Sequence, residues 1–555
     1  MKIKFIYHNQ EYPVQSGQRI EEIIQKMLPE WDRKALAAYV NNHPVSLNYK
    51  LDQDGAELDF VTLQSHRGQM IYRASTCFLL HRVIFELFRN SRIVQGTSLG
   101  NSIYYDFYTD IPVDEALLKA IAIRMRELVA AREPFESYGM EKEEAIKFFR
   151  QRGFFDKVKL IEQQDKDYIF IHSCGLYKDL EYGPLVPDAG YIRQFWLKRY
   201  NQGLVLCFMP EEEKEHYLIQ LGKRARLFNA FVESKGWGKI VGINNVYRLN
   251  DVIMSGRIQE MINICEGLHE KKIAQIADLI VKGKDRQPSR IVLIAGPSSS
   301  GKTTFTRRLD IHLRINGMKP VYISLDNYYI DREKTPRDEF GQYDFESVMA
   351  LDLDLLNHHL KELINGNEVE MPIFDFEIGK RKQKTKPLRV DEYQPLILEG
   401  IHALNPLLTE SIEESLKYKI YISALTPLAI DDYNRISSTD NRLIRRMIRD
   451  YKYRNYSALQ TIRQWPSVRR GEEKYIFPFQ EEADILFNSA HHFELPVLKT
   501  EAEIILSHLQ PDNEEYRTAH RLLRFLSIFK TIDSELIPKN SLLREFIGGS
   551  CFHYD

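Results

Sequence analysis

The residues best equipped for chemistry lie in one run, Ile291-Val-Leu-Ile-Ala-Gly-Pro-Ser-Ser-Ser-Gly-Lys-Thr-Thr304. Gly296, four residues, Gly301, Lys302 and Thr303 fit G-x-x-x-x-G-K-[ST], a loop that cradles phosphates. Gly296 and Gly301 let the backbone turn tightly, and the amides of Ser298, Ser299, Ser300 and Thr304 can then face a triphosphate. A helix starting near Lys302 would add the positive end of its dipole. Lys302 has the reach and charge for β- and γ-phosphates, and the Thr303 hydroxyl can bind Mg²⁺. ATP and Mg²⁺ are therefore the expected cofactors. Asp326 and Glu399 each close an apolar run, Asp326 as a candidate base and metal-side acid, Glu399 as a second metal-holding carboxylate. Arg442, Arg445, Arg446 and Arg449 recur at i, i+3, i+4 and i+7. Four cations on one helical face repel each other unless a polyanion is near. Arg446 is the candidate for γ-phosphoryl charge in the transfer itself, the other three for ATP binding.

These side chains need a scaffold that brings distant segments together. The runs 291–295, 320–326 and 395–401 read as strands, each followed by helical or loop sequence. That alternation predicts an α/β fold with a parallel sheet and flanking helices. Ligands of such sheets sit at the carboxyl ends of the strands, where Asp326 and Glu399 fall. The chain has 555 residues and a formal net charge of −2. The length predicts roughly three or four domains, and the charge gives no overall drive toward nucleic acid or membrane. The five cysteines are scattered without a C-x-x-C pair, which suits a reducing compartment and argues against a disulfide framework. The N-terminus enters a strand pattern directly, and no apolar run reaches the roughly 18 residues of a membrane span. A cytoplasmic protein is expected.

The order of the phosphate loop, Ser324-Leu-Asp-Asn-Tyr-Tyr329, Tyr343-Asp-Phe345, Met371-Pro-Ile-Phe-Asp-Phe376 with Arg381, Leu398-Glu-Gly-Ile401 and the arginine helix resembles the uridine kinases, within a group that includes phosphoribulokinase and pantothenate kinase. The resemblance implies a P-loop kinase over 289–510 that phosphorylates the 5′-hydroxyl of a nucleoside. It implies Asp326 as base, Asp344 on ribose hydroxyls, Arg381 reaching the substrate, and Tyr329 and Phe374 in the substrate site. Two positions depart from the family: Phe374 stands for a tyrosine and Gly379 for a histidine. Phenylalanine can stack on a base but cannot donate a hydrogen bond. Kinase activity is thus better supported than uridine specificity. An extra stretch, Pro427–Asp440, precedes the arginine helix, and an altered lid is expected from it.

Ahead of this lie two further modules. Residues 1–64 show a β-grasp pattern that resembles the TGS domain of threonyl-tRNA synthetases, read as a docking or regulatory module. Residues 65–230 resemble the α+β editing module of threonyl- and alanyl-tRNA synthetases, through Tyr104-Tyr-Asp-Phe107 and Gly183-Pro-x-Val-Pro. The family's metal site needs an H-x-x-x-H pair, but Arg73 and Cys77 occupy those positions. Glu181-Tyr182 and Leu185 replace the expected cysteine and histidine, so a zinc site is not expected. Residues 231–288 read as a helical connector, with 236–242 as a loop or short strand and separate helices at 249–265 and 271–281. Residues 511–555 read as a helical tail to which no function attaches. The expected partners are a nucleoside substrate and a second copy of the chain in a homo-oligomer, with no membrane. RNA is a weaker alternative through Lys223-Arg-Ala-Arg226 and Arg193 with Lys198-Arg199. Two rival readings stay open: a kinase of another small alcohol, and an RNA-binding regulatory ATPase.

Overall fold

The computed structural model describes residues 2–553 except Arg89, Lys223, 285–286, 338–340, Gln342, Phe345 and 376–377. Phe345, Phe376 and Lys223 of the motifs above therefore lie outside the described residues.

The alternation of Lys2–Tyr7 puts Ile3, Phe5 and Tyr7 inward, as period two requires of a half-buried strand. It pairs antiparallel with Gln10–Gln15 and parallel with Ala56–Thr62. Ala35–Val40 and His43–Val45 complete a five-stranded sheet, and helix Ile20–Met27 buries Ile20, Ile23 and Ile24 in the same core. The next segment opens with the long helix His66–Leu87, whose N-terminal Ser65 hydroxyl accepts from the Gly68 amide, a common way to satisfy a free helix N–H. A four-stranded antiparallel sheet runs Trp196–Tyr200, Gly203–Cys207, Ser102–Tyr108, Arg92–Ser98, and a three-stranded one combines Glu136–Glu141, Tyr168–Cys174 and Tyr177–Leu180.

The connector differs from expectation. Residues expected as a loop or strand at 236–242 are mostly helical, within Ala225–Ile240. Gly238 serves close packing there: a Cβ would stand 2.8 Å from the Ile243 carbonyl and 2.9 Å from His492 Nε2. The turn comes at Gly242, φ +74°. The two helices expected at 249–265 and 271–281 are instead Val246–Met254 and one 25-residue helix, Ile258–Lys282. The long helix runs through Gly267 because one face buries Ile262, Cys265, His269, Ile273, Ile276 and Ile280. It also packs on the phosphate-loop helix Lys302–Ile315, so it forms part of a layer over the parallel sheet.

That sheet has five strands, β1 (Ile291–Ala295), β2 (Val321–Ser324), β3 (Leu396–Glu399), β4 (Lys417–Ser423) and β5 (Ile485–Asn488). Its order is β2-β3-β1-β4-β5, all parallel. Val292 and Ile294 face the layer with Phe305 and Leu309, while Ile291 and Leu293 face the layer with Leu356 and Leu360. Both faces are covered at β1 and β4, which are buried along their whole length, and a strand covered on both faces reads as a continuous apolar run. β5 was not anticipated from the sequence. No helix among the described residues is long and apolar enough to cross a membrane.

The stretch Pro427–Asp440 docks into the preceding module. Lys157 is fully buried and pairs with Asp179 at 2.5 Å and Asp431 at 2.9 Å. Burial alone would lower the lysine pKa, but the fields of Asp179, Asp431 and Asp156 outweigh it and hold the ammonium charged. Tyr433 packs beside Phe154 and Tyr177 in the core formed by the segment 65–230. The second half of the stretch starts the arginine helix, Ser438–Tyr453, with the Ser437 hydroxyl accepting from the Asp440 amide. Removing the cation would leave two buried carboxylates facing each other, a change that costs about 3–5 kcal/mol. Lys157→Met is expected to lower the urea unfolding midpoint accordingly; an unchanged midpoint would mean that the pair does not hold the modules together.

Candidate active site

Backbone crowding explains the first glycine of the phosphate loop: a Cβ on Gly296 would lie 2.2 Å from the Ile422 carbonyl of β4. Gly301, at φ +81°, turns the chain into the helix that begins at Lys302. Ser299 also holds a left-handed conformation, φ 58°, which is uncommon away from glycine. Lys302 folds over the loop and donates to the carbonyls of Gly296 at 3.0 Å and Pro297 at 3.2 Å. Burial pushes its pKa down, against the opposing pull of Glu399 and Glu545.

The parallel register aligns the acids with this loop. Ser324 and Ile294 both pair with Glu399, from β2 and β1 on either side of β3. Asp326 follows two residues after Ser324, in a short 3-10 turn. The Thr303 hydroxyl donates to Glu399 at 2.9 Å. A hydroxyl beside a carboxylate is a hard oxygen set, which fits Mg²⁺, an ion that keeps several waters and takes its other ligands from phosphate. Burial raises the pKa of both Glu399 and Asp326.

Tyr329, Phe374 and Arg381 gather around the turn that carries Asp326. Phe374 and Arg381 pair across a short hairpin, and the Phe374 amide donates to Asn327 Oδ1 at 3.1 Å. The Tyr329 and Phe374 rings lie 5.8 Å apart. Arg381 donates to the carbonyls of Tyr328 and Tyr329 and to Asp352 at 2.9 Å, so its guanidinium braces the turn. The Asp344 carboxylate accepts from the Tyr475 hydroxyl on helix Ala458–Tyr475. At Gly379, φ +69°, the Arg332 side chain passes 2.8 Å from where a Cβ would stand, so a histidine would not fit without displacing it.

The four arginines divide. Arg442 Nε donates to the Ser298 carbonyl at 3.0 Å, and Arg446 donates to the Ser298 hydroxyl at 2.8 Å. Arg449 pairs with Asp450 at 2.7 Å. Arg445 is fully buried, bonded to Glu494 and the Ser489 carbonyl and 3.4 Å from the Ser299 carbonyl. It supports the loop from behind, where the spacing alone had put it with the others on ATP. Two carboxylates escaped the sequence reading. Glu472 accepts from the Ser298 amide at 3.1 Å and pairs with Arg442. Glu545 accepts from the Thr304 amide at 3.2 Å and from its hydroxyl at 2.8 Å. The tail to which no function was attached therefore reaches the first turn of the phosphate-loop helix. Neither glutamate belongs to a motif; each is legible only as one acid among many in a polar helix or tail.

Comparison with known proteins gives matches in both halves of the chain. The Phosphoribulokinase / Uridine kinase family profile matches residues 291–495. A uridine kinase of Bacillus velezensis is 30% identical over 219 residues, 39% of this chain and 94% of that protein. Threonine–tRNA ligases match the N-terminal region. That of Rubrobacter xylanophilus is 31% identical over 188 residues, 34% of this chain and 29% of the ligase. That of Symbiobacterium thermophilum is 31% identical over 231 residues, 39% of this chain and 35% of the ligase. The chain thus spans about a third of the length of the ligases it matches. A solved structure of a possible uridine kinase from Bacillus stearothermophilus aligns with TM-score 0.26 and 19% identity over 39% of this chain and 98% of that chain.

Glu545 places negative charge on amide and hydroxyl donors at a helix N-terminus, a position that favours phosphate. Glu545→Gln is expected to tighten ATP binding roughly threefold to tenfold, measured by titration with a fluorescent ATP analogue. Weaker binding in the variant would instead make the carboxylate a support of the nucleotide site.

Proposed function

The chain belongs to the phosphoribulokinase/uridine kinase family, and on that premise we propose that it is an ATP- and Mg²⁺-dependent kinase phosphorylating the 5′-hydroxyl of a nucleoside. The observation that carries the proposal is the 2.9 Å Thr303–Glu399 bond at the loop, on a strand whose neighbour leads directly to Asp326.

A nucleoside hydroxyl is a weak nucleophile, so a carboxylate must take its proton as the phosphoryl group moves. Asp326 takes that role; its raised pKa brings it closer to a useful base than an exposed aspartate. Thr303 and Glu399 are the residues that would hold Mg²⁺, which would supply positive charge against the phosphates. Lys302 supplies a cation to the β- and γ-phosphates. Arg446 and Arg442, both already at Ser298, add positive charge where the equatorial oxygens gain it. Tyr329 and Phe374 offer ring faces to a base, and Asp344 can accept from ribose hydroxyls. Arg381 keeps the Asp326 turn in place through the Tyr328 and Tyr329 carbonyls. With Phe374 and Gly379 in the base site, edge recognition has fewer donors than in the family, which supports a broader nucleoside range.

We read 1–64 as TGS-like and 65–230 as editing-like without the hydrolytic metal. Arg73 is bonded to Asn101 at 2.9 Å, and burial pushes the Cys77 thiol up to about 12, away from the thiolate that binds zinc. The similarity to the ligases also keeps an RNA-binding regulatory ATPase as a second reading.

Labelled ATP offered with a panel of nucleosides and sugars tests both. Transfer to a nucleoside 5′-oxygen is expected; transfer only to another alcohol, or RNA-stimulated hydrolysis with no phosphorylated small molecule, would overturn the proposal. Asp326→Asn is expected to lower kcat by about 10²–10⁴-fold while ATP still binds, and Lys302→Ala to abolish transfer. Asp326 works as a carboxylate, so kcat/KM should fall as pH drops through its raised pKa. That acid limb should lie above the value for an exposed aspartate.

A further inference from the structure

A cavity of about 530 Å³ lies away from the phosphate loop, between helix His66–Leu87, residues 179–185, residues 430–440 and helix Tyr516–Leu526. Its volume is that of a small-molecule site. None of its walls comes from residues 296–304.

The charge on the walls does not balance. The acids are already engaged: Asp179 with Lys157, Glu181 with Arg524 at 3.5 Å, and Asp440 with Arg521 at 2.6 Å. Arg67, Arg73 and Arg435 have no carboxylate within ion-pair distance among the described residues. Arg435 is the clearest case. Its guanidinium donates to two hydroxyls, Ser98 at 3.1 Å and Ser438 at 3.4 Å. Burial alone pushes it down to about 10. A half-buried cation without a counter-charge carries a desolvation cost, and an anion in the cavity relieves it.

A second, independent feature points into the same space. His81 is 3% exposed, lines the cavity, and its Nε2 has no hydrogen-bond partner. Burial keeps the ring neutral, its pKa down to about 3. It stacks edge-on against Tyr433 at 4.5 Å. Buried ring nitrogens normally find a partner. Phe78 and Ile436 complete an apolar wall beside these groups.

We propose that this cavity binds a small organic anion, a phosphate or carboxylate carried on a flat apolar body. Arg435, Arg67 and Arg73 take the charge, the His81 Nε2 takes a polar atom of the ligand, and Tyr433 with Phe78 takes the body. The first turn of the arginine helix, Ser438 to Asp440, forms part of the wall.

The test uses the full chain and three probes measured by calorimetry: 4-methylumbelliferyl phosphate, 7-hydroxycoumarin-4-acetate and neutral 4-methylcoumarin. Binding of the phosphate, the carboxylate or both at one site per chain is expected, and which of them binds identifies the charged group. Arg435→Met should weaken it by roughly tenfold or more, as loss of a charged hydrogen bond does, while Lys302→Ala should leave it unchanged. Hydrogen exchange on the unaltered protein locates the probe without relying on a variant, through protection at 435–440. No binding of either anion at millimolar concentration, equal binding of neutral 4-methylcoumarin, protection confined to 296–304, or binding lost in Lys302→Ala but kept in Arg435→Met would each overturn the proposal.

Discussion

The candidate site depends on the register of three parallel strands. Ile294, Glu399 and Ser324 sit opposite one another across β1, β3 and β2. In a parallel sheet all strands point the same way, so their carboxyl ends share one edge. The phosphate loop leaves β1 at that edge, Glu399 ends β3 there, and the Asp326 turn leaves β2 there. A slip of one residue in β3 would turn Glu399 to the other face, away from Thr303.

Around that edge, charges are held by other charges. Arg442 and Arg446 hold the loop through Ser298, and Arg445 with Glu494 supports it from below. Glu472 and Glu545 take loop and helix amides. The loop is thus held by hydrogen bonds and ion pairs drawn from four later segments of the chain, and the amides that Glu472 and Glu545 occupy must be released before a phosphate can take them.

The same logic joins the modules. Lys157 sits between Asp179 and Asp431, one acid from the segment 65–230 and one from the stretch before the arginine helix. Tyr433 beside them enters that segment's core. That stretch was expected to alter a lid. Its structure shows an anchor, with the arginine helix starting where the anchor ends. Removing one partner of such a buried network leaves an uncompensated charge, which is strongly destabilising.

The amino-acid sequence by itself determined the phosphate loop, the acids Asp326 and Glu399, the α/β class and the order of the modules. Those features rest on local rules: glycines where the backbone must turn, apolar runs where a strand is buried on both faces, and an acid at a strand end. The helix across 236–242, the single helix through Gly267 and the strand Ile485–Asn488 were decided by packing against partners far along the chain. So were the separation of Arg445 from its helical neighbours, the bracing role of Arg381, and the arrival of Glu472 and Glu545 at the loop. Helical spacing says which arginines share a face. Which of them finds a buried glutamate is a property of the neighbouring segments, and only tertiary structure brings those segments together.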